Sequence, residues 1–450
     1  MMRLTPIRIT ITIALALLCG ALLPCRGAAA PEKKTALKNE TAAAMNAIAE
    51  SYVKLALAVG VHDPLYVDAY FGPEAWQAKA KEERKSLAAI EREAAPLIAR
   101  LEKLDVSKDE EIVRLRRQFL VKQIESLIAR SRMLQGVKLS FDDESNALFD
   151  VIAPRHDDEY FRAKLGRIDS ILPQGTGTLV ERYERFRKDF IIPKEKLDPV
   201  FAAAIAEARR RTREHMALPD GESFSVEYVT GKSWGAYNWY KGHYHSLIQV
   251  NTELPVYIDS PIGLACHEGY PGHHVQNVLS EERLVNERGW VEFTVSPLFS
   301  PLSPINEGGA NFAVEVAFPG DERIAFERDV LYPLAGIDPS KAGAYSAVQK
   351  LLRELNYAEN EAGRRYLNGE ISADSAAAYL TTYALMPIAR AKRLVAFMGE
   401  YRSYIVNYNV GYDLVKRWIE RMGGTPDHPE KRWEEYARLV SAPWVPSELK

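Results

Sequence analysis

The sequence predicts a mainly α chain with one small β-sheet, on three observations. Apolar residues recur every three or four positions, with charges between them, over most of the length. Strand-like alternation is confined to residues 223–251. Five histidines, His243, His245, His267, His273 and His274, crowd the same region. The sheet is therefore expected beside a functional centre.

Residues 1–30 read as a signal peptide. Arg3 and Arg8 give a positive start, Ile9 to Leu23 is apolar and uncharged, and Gly27 to Ala30 supplies small residues for cleavage. The run is too short to span a membrane comfortably. Leu18 and Pro24 precede Cys19 and Cys25 where lipid attachment wants a small residue, so simple export is expected, to a periplasm or beyond. Losing Arg3, Arg8 and Arg26 takes 58 basic side chains to 55 against 61 acidic ones, a charge of about −6. That mild acidity, without long single-sign blocks, argues against nucleic acid as a partner and against stable membrane insertion after signal removal. Cys266 alone remains beyond residue 30, so an internal disulfide is excluded there.

Three regions follow, expected to form one compact unit. Residues 31–220 are helical: Lys81 to Leu104 and Glu110 to Met133 carry amphipathic periodicity, and Phe141 opens a helix that Pro154 ends. Gly175 to Gly177 is a loop before helices over Leu179 to Phe190 and Pro199 to Met216. Residues 221–320 hold strands over Ser223 to Thr230 and Tyr244 to Val250, then the histidine cluster, then a helix over Pro304 to Ala317. Residues 321–450 return to helix over Ala342 to Leu367, Ala373 to Thr382, Pro387 to Val406 and Leu414 to Met422. Ser372 is placed to cap the second of these.

The most informative stretch is His267-Glu268-Gly269-Tyr270-Pro271-Gly272-His273-His274. Imidazoles bind first-row metals, and a carboxylate beside a metal site is a good general base. On an unbroken helix His273 would stand roughly 9 Å along the axis from His267, and His274 about 10.5 Å. Ligands sharing a zinc ion make bonds of about 2.0–2.1 Å, so a straight helix fails. Pro271 cannot donate a helical hydrogen bond, and Gly269 and Gly272 free the backbone. A bulge there would return His273 towards His267. His274 is the rival second ligand, since i and i+7 share a helical face, or else a neighbour that hydrogen-bonds a ligand or the substrate. Glu307, in the first turn of the later helix, is the candidate third ligand, with Glu315 as a weaker alternative. Asn311 is one turn on from Glu307, placed to hydrogen-bond a ligand. Two histidines and one glutamate leave one position of a single zinc ion open, the pattern of a catalytic site.

At these residues the chain resembles the bacterial domain-of-unknown-function 885 family. The signature His-Glu-x-x-Pro-Gly-His-His matches His267 to His274, and the following Glu-Gly helix matches Glu307-Gly308. Phe141 to Phe149, Gly175 to Pro199 and Val250 to Thr252 resemble the same family. The likeness runs from about Ala44 to Trp418. It implies a gluzincin-like zinc metallopeptidase: a helical, bundle-like body enclosing a cleft, one zinc per chain, and peptide substrates.

The reaction expected is peptide hydrolysis, with Glu268 as general base. Tyr408, in a Tyr-x-x-Gly stretch similar to one late in the family, is the expected donor to the developing oxyanion, with Tyr404 one turn earlier as its rival. Tyr244 to Asn251 is read as an edge strand along a cleft, with Asn251 or His245 gripping the substrate backbone. A zinc amidase or esterase on a non-peptide substrate is the nearest alternative. A non-catalytic zinc-binding protein is the other, and Glu268 argues against it, because a storage site has no use for a spare carboxylate. No feature fixes the oligomeric state.

Overall fold

Helices build most of the chain in this computed structural model, which describes residues 30–232 and 234–450. The first 29 residues, and with them nearly all of the signal-peptide reading, lie outside the described residues. The fold is mainly α, with two small sheets. The first long helix, Ala30–His62, includes a stretch, Glu40–His62, long and apolar enough to cross a membrane. More than half of that stretch is buried inside the protein, and Met45, Ile48, Tyr52, Val53 and Ala56 belong to the core. Its apolar face is thus spent on packing.

Several helices are broken where the periodicity reads as continuous. Lys81 to Leu104 divides into Glu74–Glu83 and Leu87–Glu102, with the Ser86 hydroxyl accepting the Ala89 N–H at the second start. Ala342 to Leu367 divides into Ala342–Arg353 and Tyr357–Leu367. Pro387 to Val406 becomes Ile388–Tyr401 and a 3-10 turn, Arg402–Ile405. Apolar periodicity survives such breaks because the buried face continues across them. The Ser372 cap forms, accepting the Ser375 N–H at 3.2 Å.

A two-stranded antiparallel sheet joins β1 (Val67–Tyr70) to β5 (Val295–Pro297). The larger sheet contains β2 (Ser223–Val229), β3 (Ala236–Gly242) and β4 (His245–Asn251) in the order β2-β4-β3. β4 runs parallel to β2 and antiparallel to β3. It is the central strand, so the edge-strand reading of Tyr244 to Asn251 is corrected: neither edge is free to accept an added peptide. β3 escaped sequence reading because aromatic residues occupy both its faces (Tyr237, Trp239 and Tyr240), which erases the period of two.

One helix pair positions the centre. Ser303–Ala317 and Val406–Arg421 pack with their backbones nearly touching at Gly308 and Gly411. A Cβ on Gly308 would lie 2.1 Å from the Gly411 carbonyl carbon, and one on Gly411 would lie 2.2 Å from the Pro304 oxygen. Only glycine permits that approach. It brings Glu307 on one helix within reach of Tyr404, just ahead of the other.

Candidate metal centre

The octapeptide folds back on itself. Helix Ser260–Leu264 passes into a π-helical turn, Ala265–Gly269, and a new helix starts at His273. The Tyr270 N–H reaches the Ala265 oxygen at 2.8 Å, and the Gly272 N–H reaches the Cys266 oxygen at 2.9 Å. Tyr270–Pro271 is a cis peptide. A Cβ on Gly272 would stand 2.0 Å from the His267 oxygen and 2.3 Å from that of Cys266, so glycine is required there. The rings of His267 and His273 end with centroids 4.7 Å apart and planes at 89°.

Three donors converge. Glu307 Oε2 is 3.4 Å from His267 Nε2 and 3.6 Å from His273 Nε2. Both distances are too long for good hydrogen bonds, and this buried oxygen has no other partner. Tetrahedral ligands at about 2.0–2.1 Å from one ion stand about 3.3–3.5 Å apart, close to the two separations from Glu307. The residues present therefore fit a first-row metal ion. The carboxylate of Glu268 also places an oxygen within 4.8 Å of donor atoms on both histidines, leaving it beside the centre. The side chains that carry these donors are 17%, 17% and 11% exposed, although Glu307 Oε2 itself is buried.

Each donor is held from behind. His267 Nδ1 lies 3.1 Å from Asn311 Oδ1, and the Asn311 amide donates to the Tyr408 carbonyl at 3.1 Å. His273 Nδ1 lies 3.2 Å from Gln276 Oε1, whose amide donates to the Asn306 carbonyl at 3.2 Å. These oxygens can only accept, which assigns an N–H to each Nδ1 and makes Nε2 the nitrogen that could bind a metal. The Tyr404 hydroxyl donates to Glu307 Oε1 at 2.7 Å, freeing Oε2 to face the histidines. Burial resists charge at Glu307, but the two imidazoles hold its carboxyl far below the usual range. Burial likewise opposes charge on His273, yet Glu307 lifts it to about 9 in the metal-free protein.

Tyr404 is thus engaged with a candidate ligand, while the Tyr408 ring packs 5.9 Å from it. Burial, then the charges of Glu307 and Glu268, push the Tyr408 phenol well above its usual range. It keeps its proton beside both carboxylates, as a donor must. Gln276 was legible as the i+3 partner of His273. Asn238, whose amide donates to the Glu268 carbonyl at 2.7 Å, was not, because it lies on the unread strand β3.

His274 turns the other way. Its ring is buried, with Nδ1 2.9 Å from the Ser246 hydroxyl and Nε2 3.1 Å from Glu222 Oε2. Burial and the neighbouring cations hold it low, so a neutral ring donates from Nε2 and accepts at Nδ1. Glu222 also accepts from Tyr270 at 2.5 Å and pairs with Arg209 and Arg213 at 2.8 and 2.6 Å. The network locks both Tyr270 and His274, one on each side of Pro271 and Gly272. Nothing in the local sequence pointed to Glu222, some fifty positions away.

Other side chains expected at the site have partners elsewhere. Ser246, Ile248 and Val250 face the interior, so His245 and Asn251 share the opposite face of β4. His245 meets the Ser223 hydroxyl at 3.3 Å. The Asn251 amide donates to the carbonyls of Lys232 and Trp234, and its oxygen accepts the Glu253 N–H, which staples a loop. Glu315 pairs with Lys416 at 3.1 Å and takes no part in the centre. Cys266 is fully buried and its thiol is pushed up to about 12 by burial, so it is packing.

No family model matches the chain, and no curated protein matches it. Among solved structures, a protein from Colwellia psychrerythraea designated a lipoprotein is similar at 14% identity and a TM-score of 0.47, covering 83% of this chain and 70% of that one. The M32 carboxypeptidase from Deinococcus radiodurans R1 is similar at 11% identity and a TM-score of 0.40, covering 92% and 94%.

Proposed function

We propose that this chain is an exported zinc-dependent hydrolase that cleaves peptide bonds, chiefly in short peptides. His267, His273 and Glu307 are the zinc ligands in this reading. One observation carries it: an orphaned buried carboxylate oxygen 3.4 and 3.6 Å from two imidazole nitrogens, the separations of ligands around one tetrahedral ion. Zinc bound there supplies Lewis acidity, making an attacking water acidic and a substrate carbonyl electrophilic.

The remaining work falls to side chains. Glu268 takes the proton of the attacking water and returns it to the leaving amine. Its backbone carbonyl is held by Asn238, which fixes the turn that carries it. Tyr408 donates to the developing oxyanion. Asn311 and Gln276 fix the imidazole tautomers, and Tyr404 orients Glu307.

The test is metal analysis of the purified mature protein, followed by a mixed peptide library presented to metal-stripped and zinc-reconstituted samples. The reading expects one zinc per chain and cleavage only in the reconstituted sample. Glu268→Gln should keep its zinc and lose turnover. Cleavage that survives metal stripping, or full turnover by Glu268→Gln, overturns it.

A further inference from the structure

A buried carboxylate grips the break between two helices beside the candidate centre. Helix Ile388–Tyr401 ends at Arg402, whose φ of 56° and ψ of −127° form a backbone that glycine adopts readily and other residues rarely. The 3-10 turn Arg402–Ile405 follows, and within it the Tyr404 hydroxyl donates to Glu307 Oε1 at 2.7 Å. The strained residue therefore stands two positions before the side chain that holds a candidate zinc ligand.

Glu144 closes on this break from helix Phe141–Phe149, 258 positions away from Arg402 in sequence. Its side chain is fully buried. Oε2 accepts the Arg402 Nε–H at 2.7 Å, while Oε1 accepts the Ser403 N–H at 3.0 Å and the Ser403 hydroxyl at 2.7 Å. Phe149, at the far end of the same helix, sets its ring edge-on to Tyr404, with centroids 5.8 Å apart and planes at 86°. One helix thus fixes both the backbone and the ring of the Tyr404 turn. Phe141, Leu148 and Phe149 already pack that helix with apolar groups. A carboxylate among them is unfavourable unless paired and bonded. Among the described residues its bonds all go to Arg402 and Ser403. Strained backbone persists only where its surroundings over-determine it, and such residues cluster at functional sites.

We propose that Glu144 is a positioning residue of the metal centre. It holds Arg402 at positive φ, so that Tyr404 meets Glu307 Oε1 and leaves Oε2 turned to the two histidines. This rests on the metal centre proposed above and adds the device that aims one of its ligands. Released from the clamp, Arg402 relaxes to an ordinary φ, the turn after it swings, and the Tyr404 hydroxyl leaves Glu307.

The test is zinc affinity, read by competition against a chelator of known strength. The variants are Glu144→Gln alone, then combined with Arg402→Gly, Arg402→Ala or Tyr404→Phe. Glutamine still accepts from Ser403 at one oxygen but turns an amide N–H towards the Arg402 N–H, so half of the clamp is lost. Affinity should fall about tenfold to a hundredfold, as when a partner behind a metal ligand is removed. Adding Arg402→Gly should restore most of it, because glycine takes the same backbone without a clamp. Arg402→Ala removes the same charge but keeps the strain, and should not restore it. In the Tyr404→Phe background Glu144→Gln should cost nothing further, since the route runs through that hydroxyl. Ser403→Ala, a milder cut at the same clamp, takes the place of Glu144→Gln if the latter does not fold. Unchanged affinity on cutting the clamp, equal rescue by glycine and alanine, or full additivity with Tyr404→Phe overturns the proposal. A wild type that binds no zinc overturns the metal-centre reading instead.

Discussion

Asn311 Oδ1 lies 3.1 Å from His267 Nδ1, while the same amide holds the Tyr408 carbonyl from its other side. One asparagine thereby sets the tautomer of a candidate ligand and ties it to the helix of the candidate oxyanion donor. Asn311→Ala leaves the imidazole free to rotate and to exchange tautomers. Zinc affinity should fall about 10–100-fold, the usual cost of losing such a partner. Competition against a chelator of known strength measures it, and an unchanged affinity removes Asn311 from the centre.

The two tyrosines one turn apart should separate by phenotype. Tyr404→Phe loses the bond to Glu307 Oε1, so zinc binding should weaken. Tyr408→Phe should hold zinc normally and lose roughly 100-fold or more in kcat, with KM little changed. Zinc titration and steady-state kinetics on both variants distinguish them. The reverse pattern would exchange their roles.

Glu222 carries the acid sensitivity of the site. Burial alone would raise its carboxyl, but bonds from His274, Tyr270, Arg209 and Arg213 hold it far below its ordinary value of 4.5. A depressed carboxylate stabilises the fold above its unfolded value, and that contribution is lost as pH falls below about 4.5. Glu222→Ala leaves the buried donors of Tyr270 and His274 without an acceptor and should cost about 1–3 kcal/mol for each, while the half-exposed arginines are met by water. Urea unfolding at several pH values reads both effects. A variant as stable as the wild type at pH 7 would refute this role.

Gly308→Ala tests the helix crossing behind Glu307. Its new Cβ would meet the Gly411 carbonyl carbon at 2.1 Å, backbone against backbone, with no flexible side chain to yield. Overpacking of this kind costs about 1–3 kcal/mol or more. Zinc affinity should fall with stability, because Glu307 is the preceding residue. Thermal unfolding with and without zinc checks both.

The helical class was legible in the sequence because periodicity reports a buried face, and that face persists through breaks such as Ser86 and Glu354 to Asn356. The proximity of His267, Glu268 and His273 was legible because Pro271 and Gly272 make a straight helix impossible. Partners one turn away, such as Asn311 from Glu307, follow from helix geometry. What stayed hidden arrives from distant chain: Glu222 beneath His274, and Asn238 on a strand without alternation. Closeness in sequence could not show that His245 meets Ser223 and that the Asn251 side chain is spent on a loop.

The most direct test is diffraction from zinc-soaked crystals on either side of the zinc absorption edge. The account predicts one anomalous peak per chain, about 2.0–2.1 Å from Nε2 of His267, Nε2 of His273 and a carboxylate oxygen of Glu307. A soaked crystal with no peak at these three atoms, or with its peak on other residues, would contradict it.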